Sequence, residues 1–239
     1  MSARALALLA LATGLAACAS KQPALLPGQL PSKVYPMPSD GPPVTRRSPD
    51  EFKATGDRLL DKLGDYPPRV ASEAERDKLY AEWTDMLRDT KTRDWSQARS
   101  QTARLAVLAD LYRMGHNLDV DGSAERTDDC LKECLARDAF SVGCHWTRAQ
   151  FYLSIEPTSD RLMLAEASLD TLRRVLGPEP DRAVEFEYVK LRLMSRDVPG
   201  AQAAMDSFLQ KFPDERNSQQ LKDLQKALDD VDRIGTGTE

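Results

Sequence analysis

The residues best equipped for chemistry lie in the stretch NLDVDGSAERTDD, residues 117–129. Carboxylates alternate there with other residues around Gly122. Such oxygen-rich segments suit calcium, a hard cation that takes roughly six to eight oxygen ligands. The alternative is an ordinary acidic turn between two helices, with Gly122 at a positive φ and Asp128 near a helix start. The residues themselves leave both interpretations open.

This stretch resembles the calcium loop of EF-hand proteins, and in particular the single loops of dockerin-type bacterial proteins. The resemblance implies a bound Ca²⁺ that would stiffen the surrounding hairpin, with Gly122 at the sharp turn. Two departures, Asn117 in place of aspartate and Ala124 in place of a large aliphatic residue, imply weak binding. The implied ligands, in loop order, are Asn117, Asp119, Asp121, Ser123, Glu125 and Asp128.

No catalytic constellation is visible in the sequence. His116 and His145 have no evident nucleophile or acid partner, and the chain lacks a glycine-rich phosphate loop and an HExxH motif. The net charge of −5, with scattered Lys and Arg, also gives no electrostatic footprint for nucleic acid. We therefore expect a protein that is not an enzyme; an enzyme of the cell wall is the disfavoured alternative.

The first residues predict export. Arg4 precedes a short apolar run, and Leu15-Ala16-Ala17-Cys18 resembles the lipobox of bacterial lipoproteins. That resemblance implies a signal peptide over 1–17 and lipidation of Cys18. Several acyl chains make a firm anchor. Ala19, in place of aspartate, suggests the outer membrane, with the protein facing the periplasm. The alternative is a plain secretory signal with a chance cysteine.

Residues 18–48 are rich in proline, which favours an extended, semi-rigid tether outside any core. The remaining chain is long enough for one domain. Its apolar spacing of three and four predicts an all-α fold without strands. Capping signals such as Ser48-Pro49-Asp50-Glu51 mark helix starts. Helices are predicted near 49–63, 73–90, 95–115, 124–137, 141–155, 160–176, 181–195, 199–211 and 217–233.

The helices resemble tetratricopeptide repeats over roughly 95–215. This resemblance implies an α-solenoid of helical hairpins, each with a first helix A and a second helix B. It implies a hairpin over 49–94 and a helix over 216–239 as end caps. A non-repetitive bundle is the alternative. The resemblance rests on Leu105, Leu108, Ala109 and Tyr112, on His145, Arg148, Ala149 and Tyr152, and on Ala201, Met205, Phe208 and Pro213; Tyr112, Tyr152 and Arg192 lie 40 apart.

In that family the A helices line a concave groove that binds a protein or peptide partner. The 40-residue register places Ala106, Trp146 and Phe186 in one row of this groove. The alternative is that Trp146 and Phe186 belong to the core, covered by a terminal helix of the same chain. The expected partner-binding residues are Asp110, Arg113, Trp146, Gln150, Phe186 and Lys190.

Three cysteines follow Cys18. Helix B and the next helix A should run antiparallel around a turn near residue 139, which places Cys134 opposite Cys144. An exported protein can keep a disulfide. Packing of both residues as small apolar side chains is the favoured interpretation, and a Cys134–Cys144 disulfide is the alternative. A zinc site formed by these residues, Cys130 and His145 is disfavoured.

These observations favour a lipid-anchored scaffold that holds another envelope protein. An accessory lipoprotein that helps an outer-membrane secretin or pilus machine to assemble is the second hypothesis.

Overall fold

The computed structural model describes residues 33–96 and 98–236. Within these ranges the chain is helical, and its only β-type pairing is one bridge between Tyr35 and Val120. The all-α prediction is confirmed, and the helix ends lie within a few residues of those predicted. The helices are α1 Pro49–Leu63, α2 Glu73–Thr92, α3 Ala98–Asn117, α4 Ser123–Arg137, α5 Val142–Tyr152, α6 Ser159–Leu176, α7 Arg182–Met194, α8 Val198–Lys211 and α9 Gln219–Thr236, with a 3-10 helix Pro213–Asn217 before α9.

Local signals explain where the helices begin. Ser48 accepts a hydrogen bond from the amide of Glu51, and the Glu51 carboxylate accepts one from the amide of Ser48 at 2.9 Å. The predicted capping box therefore forms, with Pro49 at the first helical position. Ser72 caps α2 through its hydroxyl alone, which accepts a hydrogen bond from the amide of Glu75. Each cap satisfies amide groups that have no partner within the helix.

Consecutive helices pair into hairpins. α3 packs on α4, α5 on α6, and α7 on α8. α5 also lies against both α3 and α4, whereas α7 rests mainly on α6, and α1 packs on α2 and α3. This order of contacts is that of an all-α helical-repeat arrangement, in which each hairpin is covered chiefly by its neighbours in sequence.

The 40-residue register reappears in the pattern of burial. Ala109, Ala149 and Val189 are all buried, and they occupy one position on α3, α5 and α7. Leu111, Phe151 and Leu191 repeat this behaviour two residues later. A helix that packs on both its hairpin partner and the preceding hairpin must bury the same face each time.

The second helix of each hairpin carries a buried triplet with the spacing i, i+4 and i+7. This spacing places the three side chains on one helix face. In α8 the triplet begins at the predicted Ala201, in α6 it begins at Ala165, and in α4 it ends at Cys134. The triplets are Thr127, Leu131 and Cys134, then Ala165, Leu169 and Leu172, then Ala201, Met205 and Phe208.

Residues 33–48, which we call the strap, pack against the helices. Tyr35 is 5% exposed, stacks on the ring of Tyr80 and pairs by backbone hydrogen bonds with Asp119 and Asp121. Farther along the strap, the amide of Val44 donates to Asp85. The prediction of a tether over 18–48 is therefore wrong for its described part, because the strap supplies a buried aromatic ring and satisfies carboxylates of α2.

The predicted signal peptide and Cys18 lie outside the described residues. Among the residues described, no helix combines the length and the hydropathy needed to span a bilayer.

Candidate functional site

The first predicted groove row does not form as expected. The Cβ of Ala106 lies close to the position that a Cβ on Gly143 would take, 3.2 Å away, so α3 and α5 approach closely there. Trp146 is half-buried and packs against the core formed by α3 to α7. Phe186 is only 8% exposed and contacts Phe208 with ring centroids 5.6 Å apart. The prediction that Phe186 contacts a partner is wrong, because α8 covers its ring.

Arg113 is also not a groove residue. Its side chain is fully buried and donates to the carbonyl of Gly64 and to Asp110, with 2.7 Å between Arg113 Nη2 and Asp110 Oδ1. A charge this far from water needs such partners. The expected role for Arg113 is therefore wrong, because the C-terminal end of α1 lies over this part of α3.

Three predicted groove positions keep a partly accessible polar side chain: Asp110, Gln150 and Lys190. Lys190 forms an ion pair of 2.9 Å with Glu187 and lies 5.4 Å from the centroid of the Phe186 ring. Gln150 Oε1 is buried and has no hydrogen-bond partner among the described residues. Together with Trp146 these positions form what we call the A-helix row: Asp110, Trp146, Gln150 and Lys190.

The predicted calcium ligands point to several different partners. Asn117, at the end of α3, is fully buried and donates to the carbonyl of Leu63 at 2.8 Å. Asp119 has a φ of 59° and forms an ion pair with Arg76. Asp128 accepts from Tyr152 and Lys132. Ser123 is fully buried, while Asp121 and Glu125 are exposed.

This arrangement does not fit a calcium ion as it stands. α4 already begins at Ser123, so only residues 118–122 separate it from α3, whereas an EF-hand loop uses about twelve residues. In the described part of the chain no three His, Cys, Asp or Glu side chains are grouped to hold a metal. Gly122 does adopt the positive φ, 71°, expected of a tight turn. Calcium binding stays a prediction, which calorimetric titration of the parent and of Asp121→Ala would test.

Three of those residues instead line a cleft of about 710 Å³. The cleft lies where α3 and α5 end and where α4 and α6 begin, and Tyr66 from the α1–α2 loop also lines it. Phe151, Tyr152 and Ile155 form the apolar part of its wall, and the first two are buried. The carboxylates that line it are Asp119, Glu125, Asp128, Glu156 and Asp160.

A hydrogen-bonded pair organises one wall of the cleft. The hydroxyl of Tyr152 on α5 donates to the carboxylate of Asp128 on α4. Burial favours a raised pKa for Asp128, but the hydrogen bonds from Tyr152 and Lys132 outweigh it and hold that pKa below its ordinary value. Burial, and then the bond to Asp128, raise the pKa of Tyr152. Asp128 is thus an anion and Tyr152 a neutral donor throughout the physiological range.

His116 is the titratable base of the cleft. Its ring meets that of Phe151 edge-on, with centroids 6.0 Å apart. Burial lowers the pKa of His116 although the carboxylates of Asp119 and Glu125 act in the opposite direction. The imidazole is consequently neutral at neutral pH.

Cys134 and Cys144 form a disulfide, with 6.4 Å between their Cα atoms. The favoured expectation of free packing is therefore wrong, whereas the predicted opposition of the two residues is observed. They meet because α4 and α5 run antiparallel around the turn at 138–141. Cys130 remains a free thiol, and burial raises its pKa to about 11, which leaves it unreactive at neutral pH.

Sequence reasoning missed Tyr66, Glu156, Asp160 and Arg161 as neighbours of the acidic turn. The sequence marks residues 117–129 as chemically active, but their companions lie on the next hairpin and on the α1–α2 loop. The aromatic pair Phe151-Tyr152 beside a second acidic turn was the available signal.

Comparisons with protein-family models, with curated proteins and with solved structures find no match for this chain.

Proposed function

We propose that this chain is a lipid-anchored scaffold of the bacterial cell envelope that binds a protein or peptide partner through the A-helix row. The observation that supports this most is the repeat register. Asp110, Gln150 and Lys190 occupy equivalent positions on three successive A helices, and each remains partly accessible. A mixed row of polar groups beside the half-buried ring of Trp146 suits recognition of a peptide or helix.

The tetratricopeptide resemblance supports the same proposal. Proteins of that family bind partners on their A helices, and here the hairpin order and the 40-residue register agree with such a scaffold. The lipobox ending at Cys18 supports the anchor, with an outer-membrane and periplasmic location as its implication.

Site-specific photo-crosslinking tests the binding surface. A photoreactive residue at Gln150 should give a discrete adduct in the native membrane, because this position faces the partner. The matched control is Glu133, which is exposed on α4 with its side chain 54% accessible. Equal adducts from both positions, or none from Gln150, would reject the A-helix row as the binding surface.

Substitution of Trp146 gives a second test. Trp146→Ala should abolish the Gln150 adduct with little change in melting temperature if the ring serves mainly the partner. A collapse of the fold would assign Trp146 to the core instead.

The anchor has its own test. Metabolic labelling with a radioactive fatty acid should mark the parent chain but not Cys18→Ser, which keeps the size of the residue and lacks the sulfur that is acylated. Labelling of both would refute lipidation at Cys18.

A further inference from the structure

The cleft of about 710 Å³ at the ends of α3 and α5 is separate from the A-helix row. Its volume lies in the range of about 300–1,000 Å³ that is usual for pockets that enclose a bound group. None of the four residues of the row lines it. An inference about its occupant therefore stands or falls independently of the proposed scaffold function.

The charge of the cleft is negative after internal pairing is considered. Arg76 pairs with Asp119, and Lys132 pairs with Asp128. Glu125, Glu156 and Asp160 form no ion pair within the described part of the chain, and all three are exposed. Arg161 offsets one of these three negative charges, and its guanidinium donates to the backbone carbonyl of Glu156 at 2.9 Å. Among the charged side chains that line the cleft, two negative charges thus remain in excess.

The helix dipoles do not reverse this balance. Two helices, α3 and α5, end at the cleft, and two, α4 and α6, begin there. Because helix C-termini are partially negative and N-termini partially positive, these four contributions oppose one another. The unpaired carboxylates therefore decide which charge the cleft attracts.

Aromatic surface is the second feature of the cleft. The Tyr66 side chain is 57% exposed although it is large and aromatic, whereas Phe151 and Tyr152, which also line the cleft, are buried. Tyr66 is therefore the ring whose face a ligand can reach. A planar cation gains from the face of an aromatic ring as well as from carboxylates. A guanidinium group can use both at once, since it stacks on rings and bonds carboxylates in bidentate geometry.

We infer that this cleft binds an arginine side chain presented by a peptide. Glu125 and Asp160 supply carboxylates for the guanidinium, and Tyr66 supplies a ring for it to stack on. The size of the cleft suits a side chain with its flanking backbone. An arginine is preferred to a lysine because the ammonium group of lysine cannot form the planar, bidentate contact.

Fluorescence anisotropy on the full chain in detergent tests the inference with three labelled peptides of one sequence that differ only at the central residue. The arginine peptide should bind and saturate. The citrulline peptide, which keeps the shape and loses the charge, should bind at least about tenfold more weakly, and the lysine peptide should fall between them. Equal binding of the arginine and citrulline peptides would overturn the inference.

Variants assign the binding to the cleft. The double variant Glu125→Gln, Asp160→Asn should raise the Kd for the arginine peptide about tenfold. The matched control, Glu179→Gln with Asp214→Asn, removes two exposed carboxylates elsewhere and should leave affinity within about twofold. An equal loss in both double variants would reveal attraction by net charge alone and overturn the site. Thermal melting checks that each variant folds.

The exposed ring provides a separate readout. Tyr66→Leu should lower the affinity for the arginine peptide. It should leave the melting temperature unchanged, because more than half of this side chain is accessible. Unchanged affinity would remove stacking from the inference. The photo-adduct at Gln150 should persist in every cleft variant, so failure of the cleft and failure of the scaffold proposal are distinguishable.

Discussion

Asn117 donates a hydrogen bond from Nδ2 to the backbone carbonyl of Leu63, 2.8 Å away, so a side chain at the end of α3 caps the end of α1. Arg113, one turn earlier on α3, does the same for the carbonyl of Gly64. The last carbonyls of a helix have no partner within it. Because Asn117 and Arg113 are fully buried, water cannot take their place, and these two bonds fix the end of α1 to α3.

We predict that Asn117→Ala lowers the free energy of unfolding by about 1–3 kcal/mol, because it leaves the buried carbonyl of Leu63 without a donor. Urea unfolding measures the change. Asp121→Ala is the control, since Asp121 is exposed in the same turn and should change stability by less than about 0.5 kcal/mol. Similar values for the two variants would contradict a structural role for Asn117.

A second prediction concerns Tyr35 in the strap. Tyr35→Ala should destabilise the protein by about 2–4 kcal/mol, because it removes a buried ring that stacks on Tyr80 at a centroid distance of 4.3 Å. Tyr35→Phe keeps the ring and loses only the hydrogen bond from the hydroxyl to Asp77, so it should cost about 0.5–1.5 kcal/mol.

Val44→Ala is the control for Tyr35, because Val44 is 88% exposed in the same strap. It should leave the unfolding midpoint almost unchanged. If Tyr35→Ala behaved like Val44→Ala, the strap would be a free tether, as its proline content alone suggests.

The sequence predicted the helices well because their signals are local. Ser48 and Glu51 lie within one turn of each other, and the buried positions of α3, α5 and α7 follow from apolar spacing. The groove was predicted less well. Arg113 and Phe186 hold the expected register, but α1 and α8 cover them. Whether an amphipathic position faces solvent depends on helices that are distant in sequence, which periodicity does not reveal.

The strap and the cleft show the same limit. Proline-rich composition predicts an extended backbone, but the docking of Tyr35 depends on Asp77 and Asp119, more than forty residues away along the chain. The cleft likewise joins Tyr66 to the ends of two hairpins. The antiparallel turn predicts that Cys134 lies opposite Cys144, so a disulfide between them is one of the alternatives that the sequence offers. Whether the two thiols are oxidised cannot be predicted from periodicity, because oxidation leaves no periodic signal.

The disulfide leads to a third prediction. In a Cys18→Ala chain unfolded without reductant, a thiol assay should find one free thiol, that of Cys130. Reduction should lower the free energy of unfolding by up to about 3 kcal/mol, the entropy estimate for a short closed loop. Cys130→Ala should not change the response to reductant. Three free thiols in the oxidised protein would contradict the Cys134–Cys144 bond.

The fourth prediction is loss of stability on mild acidification, caused in part by His145. Its side chain is 5% exposed, and Nε2 lies 3.0 Å from the carbonyl of Ala139, so Nε2 carries the proton and donates. Burial lowers the pKa of His145, although the bond to Ala139 acts in the opposite direction. The unfolded chain therefore takes up a proton at a higher pH than the folded chain.

The pKa of His145 in the folded chain lies below the unfolded value of about 6.5. The contribution of its neutral form to the free energy of unfolding is therefore complete above about pH 6.5 and declines as the pH falls from there towards the folded pKa. The difference in melting temperature between about pH 7.5 and pH 5 should accordingly shrink in His145→Gln, whose amide stays neutral. His116→Gln should shrink it too, since burial also lowers the pKa of His116. An undiminished difference in the double variant would mean that carboxylates, and not these two imidazoles, cause the loss at mildly acidic pH.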